Sequence, residues 1–247
     1  MLLGGLQKTT LIDFPGRVAC TVFTVGCNFR CPFCHNKDLV TQALFRKSKI
    51  KPLSEEYFFD FLKKRRKILD GVCITGGEPT IWPDLPQFCR RIKDLDLEVK
   101  LDSNGSHPDI LKKLFSRKLI DFIAMDIKAA FADYSKAIGV KNSKLVNRIK
   151  KSIKIIIQSG LEYEFRTTVV PSIHDKESLI KLAKQLKALS SKYLIVSTNL
   201  HYSLQSFRPK NCLQTEFLQV KPFSTQEMRE ILKAVQKTLP KTKLKGE

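Results

Sequence analysis

Cys27, Cys31 and Cys34 stand in a C-x3-C-x2-C pattern within the stretch Gly26-Cys27-Asn28-Phe29-Arg30-Cys31-Pro32-Phe33-Cys34-His35-Asn36. Three thiolates this close in sequence can converge on one metal centre. Cysteine is the usual ligand of iron–sulfur clusters and a common ligand of zinc. A closed cubane of four irons needs four ligands, so three leave one iron open to a substrate. Structural zinc takes four Cys or His ligands. His35 directly follows Cys34, where it is badly placed to complete a tetrahedron, and is read as a local loop residue. No second ligand pair follows at zinc-ribbon spacing. The spacing favours iron–sulfur and leaves zinc as the competitor.

Three further polar groups could serve the same centre. Gly76-Gly77-Glu78-Pro79 offers close backbone approach and a carboxylate. Asp102-Ser103-Asn104-Gly105 offers oxygen ligands and a turn. Asp126 and Lys128 are an acid and a base two residues apart. Each falls at or just past the end of a predicted strand, as does the cysteine loop. Ligands of α/β folds bind at that end.

The elements that must position these groups alternate in type. Strands are predicted at Val18–Val25, Val72–Thr75, Leu97–Leu101, Ile120–Ile127, Tyr163–Val170 and Tyr193–Ser197. Between them lie helical patterns. Asn36–Phe45 reads as a short helix. Ser54 caps the next one, with Glu55 and Glu56 in its first turn. Leu85–Leu95 and His107–Phe115 follow, the latter with Pro108 in its first turn. Apolar residues from Leu145 to Ile157, and again from Leu179 to Leu189, recur at helical spacing. Ser224 and Glu227 form a capping box for a last helix of about 224–238. Six strand–helix units predict a parallel sheet with right-handed crossovers. Six are fewer than the eight of a closed barrel. The expectation is therefore an α/β fold, an open, partial (β/α)6 barrel. It forms a single domain over residues 1–247, with its core at about 15–212 and a frayed tail from Lys241 to Glu247.

Composition narrows the function classes. The 247 residues are 43% hydrophobic, enough for a substantial core. No apolar run reaches the about 18 residues of a membrane span. The first residues lack the basic and apolar regions of a signal peptide. Cysteines number seven, and Cys20, Cys73, Cys89 and Cys212 form no second cluster, so they read as small buried apolar residues in a reducing cytoplasm. The net charge of +20 is dispersed, with one tight run at Lys63-Lys64-Arg65-Arg66-Lys67. No RNA-binding module accompanies it, so a Lys-rich surface is preferred to nucleic-acid binding.

The cysteine pattern, with Phe33 before the third cysteine, resembles the signature of the radical S-adenosylmethionine (SAM) superfamily. Gly76-Gly77-Glu78 resembles its GGE element. Asp102-Ser103-Asn104-Gly105 resembles the D-T-N-G element of the glycyl-radical-enzyme activases, with Ser for Thr, and Asp126-Ile127-Lys128 resembles their D-x-K. Gly5–Gly16, Gly26–Leu39, Arg166–Pro171 and Leu204–Pro209 are most similar to the anaerobic ribonucleoside-triphosphate reductase activating proteins, in their longer branch, which is similar to pyruvate formate-lyase activating enzyme.

This resemblance implies a barrel of the radical SAM type and an oxidoreductase chemistry. Cys27, Cys31 and Cys34 would hold a [4Fe–4S] cluster whose open iron chelates SAM. One electron would then cleave the sulfonium bond, and the radical formed would take a hydrogen from a glycine of a partner enzyme. The same resemblance implies that Gly76, Gly77 and Glu78 receive the methionine amino group. Phe33, with the backbone beside it, would lie against the adenine. Asp126 and Lys128 would meet the ribose or the carboxylate, and Arg166 would pair with the carboxylate as a forked donor, a structural ion pair being its alternative. His35 and Asn104 lie within the matched cofactor elements. Asp102, Ser103 and Asp126 would hold a monovalent cation. Some relatives place a ligand-contacting His near His201, where the local sequence differs. The implied partner is an anaerobic ribonucleotide reductase, with flavodoxin or ferredoxin as electron donor. Other readings that stay open are an activase of another glycyl radical enzyme, a radical SAM enzyme acting on a small molecule or RNA, and a zinc-binding interaction protein.

Overall fold

The computed structural model describes residues 1–191 and 200–245. They fall into two compact units: Met1–Asn28 with Asn36–Ala124, and Phe29–His35 with Met125 onward.

In the first unit, β1 (Leu3–Thr10) runs antiparallel to β2 (Ala19–Thr24). β2 pairs in parallel with β3 (Gly71–Gly76), from Ala19↔Gly71 to Thr24↔Gly76. β3 pairs in parallel with β4 (Glu98–Ser103), with Cys73 opposite Lys100. β2 and β3 are nearly continuous apolar runs, as expected of strands covered on both faces. The helices α1 (Gln42–Lys47), α2 (Glu55–Arg65), α3 (Leu85–Lys93) and α4 (Pro108–Ser116) cover them. Ser54 caps α2 as expected, its hydroxyl accepting from Tyr57 N–H at 3.1 Å. Phe58 and Phe59 of α2 pack on Phe88 of α3, with centroids 5.4 and 5.2 Å apart.

β5 (Phe122–Asp126) leads into the second unit. There β6 (Glu162–Val169) pairs in parallel with β7 (Tyr202–Ser206), and β7 with β8 (Lys243–Lys245). The helices are α5 (Tyr134–Ile138), α6 (Leu145–Gln158), α7 (Lys176–Ser191) and α8 (Thr225–Gln236). The Ser224/Glu227 capping box of α8 is present in both directions. Ile149, Ile153 and Ile156 are the buried face of α6.

The fold is α/β with a parallel-strand sheet that is open and not closed. Among the described residues each of β2 to β7 is followed by helix, and β2 to β6 match five of the six strands expected. Three details differ. β1 was not anticipated, because its two glycines and its run Gln7-Lys8-Thr9-Thr10 weaken the strand pattern; it is an antiparallel edge. The tail expected to fray contains β8, whose Leu244 pairs with Leu204. The strand predicted at Tyr193–Ser197 lies outside the described residues, and β7 follows at Tyr202. No described helix is long and apolar enough to cross a membrane.

Candidate metal centre and cofactor site

The first unit contributes Cys27 and two of the turns. The chain leaves β2 through Gly26, whose N–H donates to Leu39 O at 2.7 Å, and Cys27 N–H donates to Val40 O at 2.9 Å. The turn after β3 is tied to the same place: Gly77 N–H donates to Thr24 O and Glu78 N–H to Gly26 O, both at 2.8 Å. Asn36 Nδ2 donates to Gly76 O at 3.0 Å. A Cβ on Gly77 would stand 2.1 Å from Gly26 O, so no other residue fits there.

Glu78 is 1% exposed. Its Oε1 accepts from Thr80 N–H at 3.1 Å, Ser103 Oγ at 2.8 Å and the Thr80 hydroxyl, and its Oε2 from Asn104 N–H at 2.6 Å. Burial pushes its carboxyl above the usual range, while the donors from Thr80, Asn104 and Ser103 oppose that. The carboxylate expected to meet an amino group is thus satisfied by protein donors. It ties the Gly76–Pro79 turn to the Asp102–Gly105 turn.

Asn104 extends this network to the cysteine. Its Nδ2 lies 2.9 Å from Asn28 Oδ1 and 3.9 Å from Cys27 Sγ, and its Oδ1 accepts from Ser106 N–H at 2.9 Å. Asn28 Nδ2 in turn donates to Ser106 Oγ at 2.8 Å. Asn28 and Ser106 were not singled out from sequence. The only signal for them is their place beside a cysteine and after a glycine turn.

The second unit contributes Cys31 and Cys34, joined by a turn in which Cys34 N–H donates to Cys31 O at 3.0 Å. Two segments hold this loop, the end of α5 and Phe207–Phe217. Arg30 N–H donates to Ile138 O at 2.8 Å at the end of α5. Gln214 N–H donates to Pro32 O at 2.9 Å, and Asn211 Nδ2 to His35 O at 2.8 Å. The buried Phe33 ring lies 6.4 Å from Phe217, and His35 stacks on Phe207 at 5.7 Å. Burial lowers the His35 pKa; its bond to the Arg208 backbone opposes this, and the charges of Lys128 and Arg208 add to it. A cavity of about 230 Å³ opens beside His35, lined also by Thr168, Gln205, Ser206, Arg208 and Lys245.

Past β5, Asp126 accepts from Arg166 Nε on one oxygen and from Lys128 Nζ on the other, each at 2.9 Å. Burial works against its charge, but the two cations outweigh burial and hold the carboxyl well below the usual range. The Lys128 ammonium is likewise disfavoured by burial. Asp126 and then Cys31 raise its pKa above the ordinary lysine value, with Cys34 adding less. The two cations and one carboxylate leave this group with a net positive charge. His174, missed from sequence as a lone loop histidine, fixes the Lys128 backbone. Its Nδ1 accepts from Val170 N–H at 3.0 Å, so Nε2 carries the proton toward Lys128 O at 2.8 Å. His201 is exposed at the start of β7 and packs edge-on against Tyr163, away from the C-terminal strand ends.

None of the described cysteines forms a disulfide. Burial pushes the Cys20 and Cys89 thiols up to about 12, which removes them as ligands. Cys73 is not merely apolar filling, since its sulfur lies 3.6 Å from Lys100 Nζ and 3.9 Å from Asp102 Oδ1. In the first unit an amide stands beside Cys27, and in the second an ammonium acts on Cys31 and Cys34; each is a partner that suits a thiolate. In the first unit Asp102 is paired with Lys100 and Ser103 Oγ is engaged with Glu78 and Gly105 N–H, so those two side chains do not fit a monovalent cation; in the second, Asp126 is paired with Arg166 and Lys128.

Comparison with known proteins places the chain in a family. The pattern of the Radical SAM superfamily matches residues 21–186. A Methanocaldococcus jannaschii protein named putative glycyl-radical enzyme activating enzyme is 31% identical over 96% of this chain and 92% of its own length. The pyruvate formate-lyase-activating enzyme of Clostridium pasteurianum is 28% identical over 74% of each chain. Among solved structures, TYW1 with a lysine-pyruvate adduct bound is similar at a TM-score of 0.59 and 17% identity, covering 89% of this chain and 73% of that one. Streptococcus suis SuiB bound to precursor peptide SuiA is similar at 0.64 and 15%, covering 90% and 47%. Those two likenesses concern the fold. The superfamily pattern spans the cysteine loop and the strand ends that carry Glu78, Asn104, Asp126 and Arg166, and on it the chain belongs to the radical SAM superfamily.

Proposed function

We propose that this chain generates a glycyl radical on a partner enzyme, and that the partner is an anaerobic ribonucleoside-triphosphate reductase. The chain is a radical SAM enzyme, and its cofactors are a [4Fe–4S] cluster and SAM. Bound there, they supply one-electron cleavage of the sulfonium C–S bond and hence a hydrogen-abstracting radical.

The protein's own part is to hold and orient. Cys27, Cys31 and Cys34 ligate the cluster. Asn104 and Lys128 present an N–H donor and a positive charge to the thiolates, which stabilise their anionic form. The net positive group of Lys128, Arg166 and Asp126 suits the SAM carboxylate, Arg166 as a forked donor. The Gly76–Glu78 backbone and Phe33 serve the amino and adenine ends.

The observation that carries the activase reading is similarity to a named glycyl-radical activating enzyme along 96% of the chain. That length includes Phe207–Phe217, the segment that holds the cysteine loop. The reductase is favoured as partner by the residues Gly5–Gly16, Arg166–Pro171 and Leu204–Pro209. A flavodoxin or ferredoxin supplies the electron.

Electron paramagnetic resonance tests this. The reconstituted chain, SAM and a reductant are mixed with a reductase or with pyruvate formate-lyase. A glycyl-radical doublet is expected on the reductase, and none with Cys31→Ala. SAM cleavage without a radical on either partner would overturn the activase reading, and a radical on pyruvate formate-lyase alone would reassign the partner.

A further inference from the structure

The first unit buries a cation. Lys100 of β4 is 2% exposed, in a strand otherwise occupied at its centre by Val99 and Leu101. Strand alternation puts Lys100 and Asp102 on one face, and the register sets Cys73 opposite Lys100. The ammonium pairs with Asp102 Oδ1 and lies 5.8 Å over the Phe122 ring. Thr75 Oγ1 reaches Asp102 Oδ2 at 3.4 Å. Burying an ammonium is costly unless it is paired, so packing alone would favour an apolar side chain here. The charge is matched to Asp102. That residue opens the turn in which Ser103 and Asn104 grip Glu78 and Asn104 meets Cys27.

We infer that Lys100 is a tethered replacement for a monovalent cation, and that this chain therefore binds SAM without sodium or potassium. The ammonium carries the same single positive charge and is held to the carboxylate by the chain itself, so it needs no ion from solution. Asp102 is neutralised from beneath, and Ser103 is left to hold Glu78. Lys100 is a positioning residue, since its contacts are with Asp102, Cys73 and Phe122. The inference rests on the cluster and SAM and is indifferent to which protein's glycine is the target.

The test is SAM affinity of the reconstituted full chain, measured by calorimetry in choline, sodium and potassium chloride at equal ionic strength. The unaltered chain is expected to bind SAM equally in all three. Lys100→Met frees Asp102, so its affinity should fall by about tenfold in choline and recover with sodium or potassium. An unaltered chain that gains about tenfold on adding sodium or potassium would overturn the inference, and this arm decides even if the variant fails to fold. A folded Lys100→Met that binds normally in choline, or that is weakened and not rescued by either ion, would overturn it too.

Discussion

Asp126 shows how one residue's charge is set by its neighbours. Its ordinary pKa is 3.8, and Arg166 and Lys128 hold the folded value below that. Above 3.8 the carboxylate is charged in both states and the stabilisation is complete. As pH falls through that value the unfolded chain takes the proton first, so stability drains away toward the lower folded pKa. Asp126→Asn should lower the denaturation midpoint of the apo chain at neutral pH, and the gap from the unaltered protein should narrow in acid. A gap that stays constant into acid would contradict the assignment. The cysteines divide in the same residue-by-residue way. Anaerobic reconstitution of Cys27→Ala, Cys31→Ala or Cys34→Ala should lose the iron–sulfur absorbance. Cys20→Ala and Cys89→Ala should keep it, because burial holds those thiols protonated. Tight zinc binding by the unaltered chain, with no such absorbance, would refute the iron–sulfur assignment.

Among the elements, α5 does more than its five residues suggest. It ends in Gly139 at φ +64°, and a Cβ there would stand 2.2 Å from Arg30 O, on the cysteine loop. Gly160 ends α6 with a similar φ of +72°, but around it the space is open. Both Gly→Ala changes carry the left-handed penalty of about 1–2 kcal/mol. Gly139→Ala should also displace the loop. Iron loading per chain should fall in Gly139→Ala and stay full in Gly160→Ala, with melting curves reporting the shared penalty. Equal loading in the two variants would show that α5 does not position the loop. The Phe207–Phe217 segment has the same positioning role from the other side, through Phe207, Asn211, Gln214 and Phe217.

For the whole molecule, the large term is charge. At +20, with a sequence pI of about 9.7, the chain attracts acidic proteins over a distance set by salt. If an acidic flavodoxin or ferredoxin is the donor, stopped-flow reduction of the cluster should slow as salt rises from about 0.05 to 0.5 M, a range over which the Debye length falls from about 14 to about 4 Å and long-range attraction is lost. A rate that ignores salt would exclude steering by this surface.

The sequence by itself determined the superfamily signature around Cys27, Cys31 and Cys34, five of the predicted strands with the helices that follow them, and the placing of polar turns at strand ends. Those are local matters: ligand spacing, hydrophobic period and turn residues are all short-range. Only the tertiary structure decided what each polar side chain faces. Glu78 is enclosed by its near neighbour Thr80 and by Ser103 and Asn104 of the turn at the end of β4. Lys100 reads as one more surface lysine among many, and only the register of β3 on β4 shows it buried against Cys73 and Asp102. β1 and β8 were likewise invisible, because an edge strand is defined by the neighbour it pairs with and not by its own pattern. Whether a charge meets solvent, substrate or a partner inside the protein depends on residues distant in sequence, and burial then decides how much that partner matters.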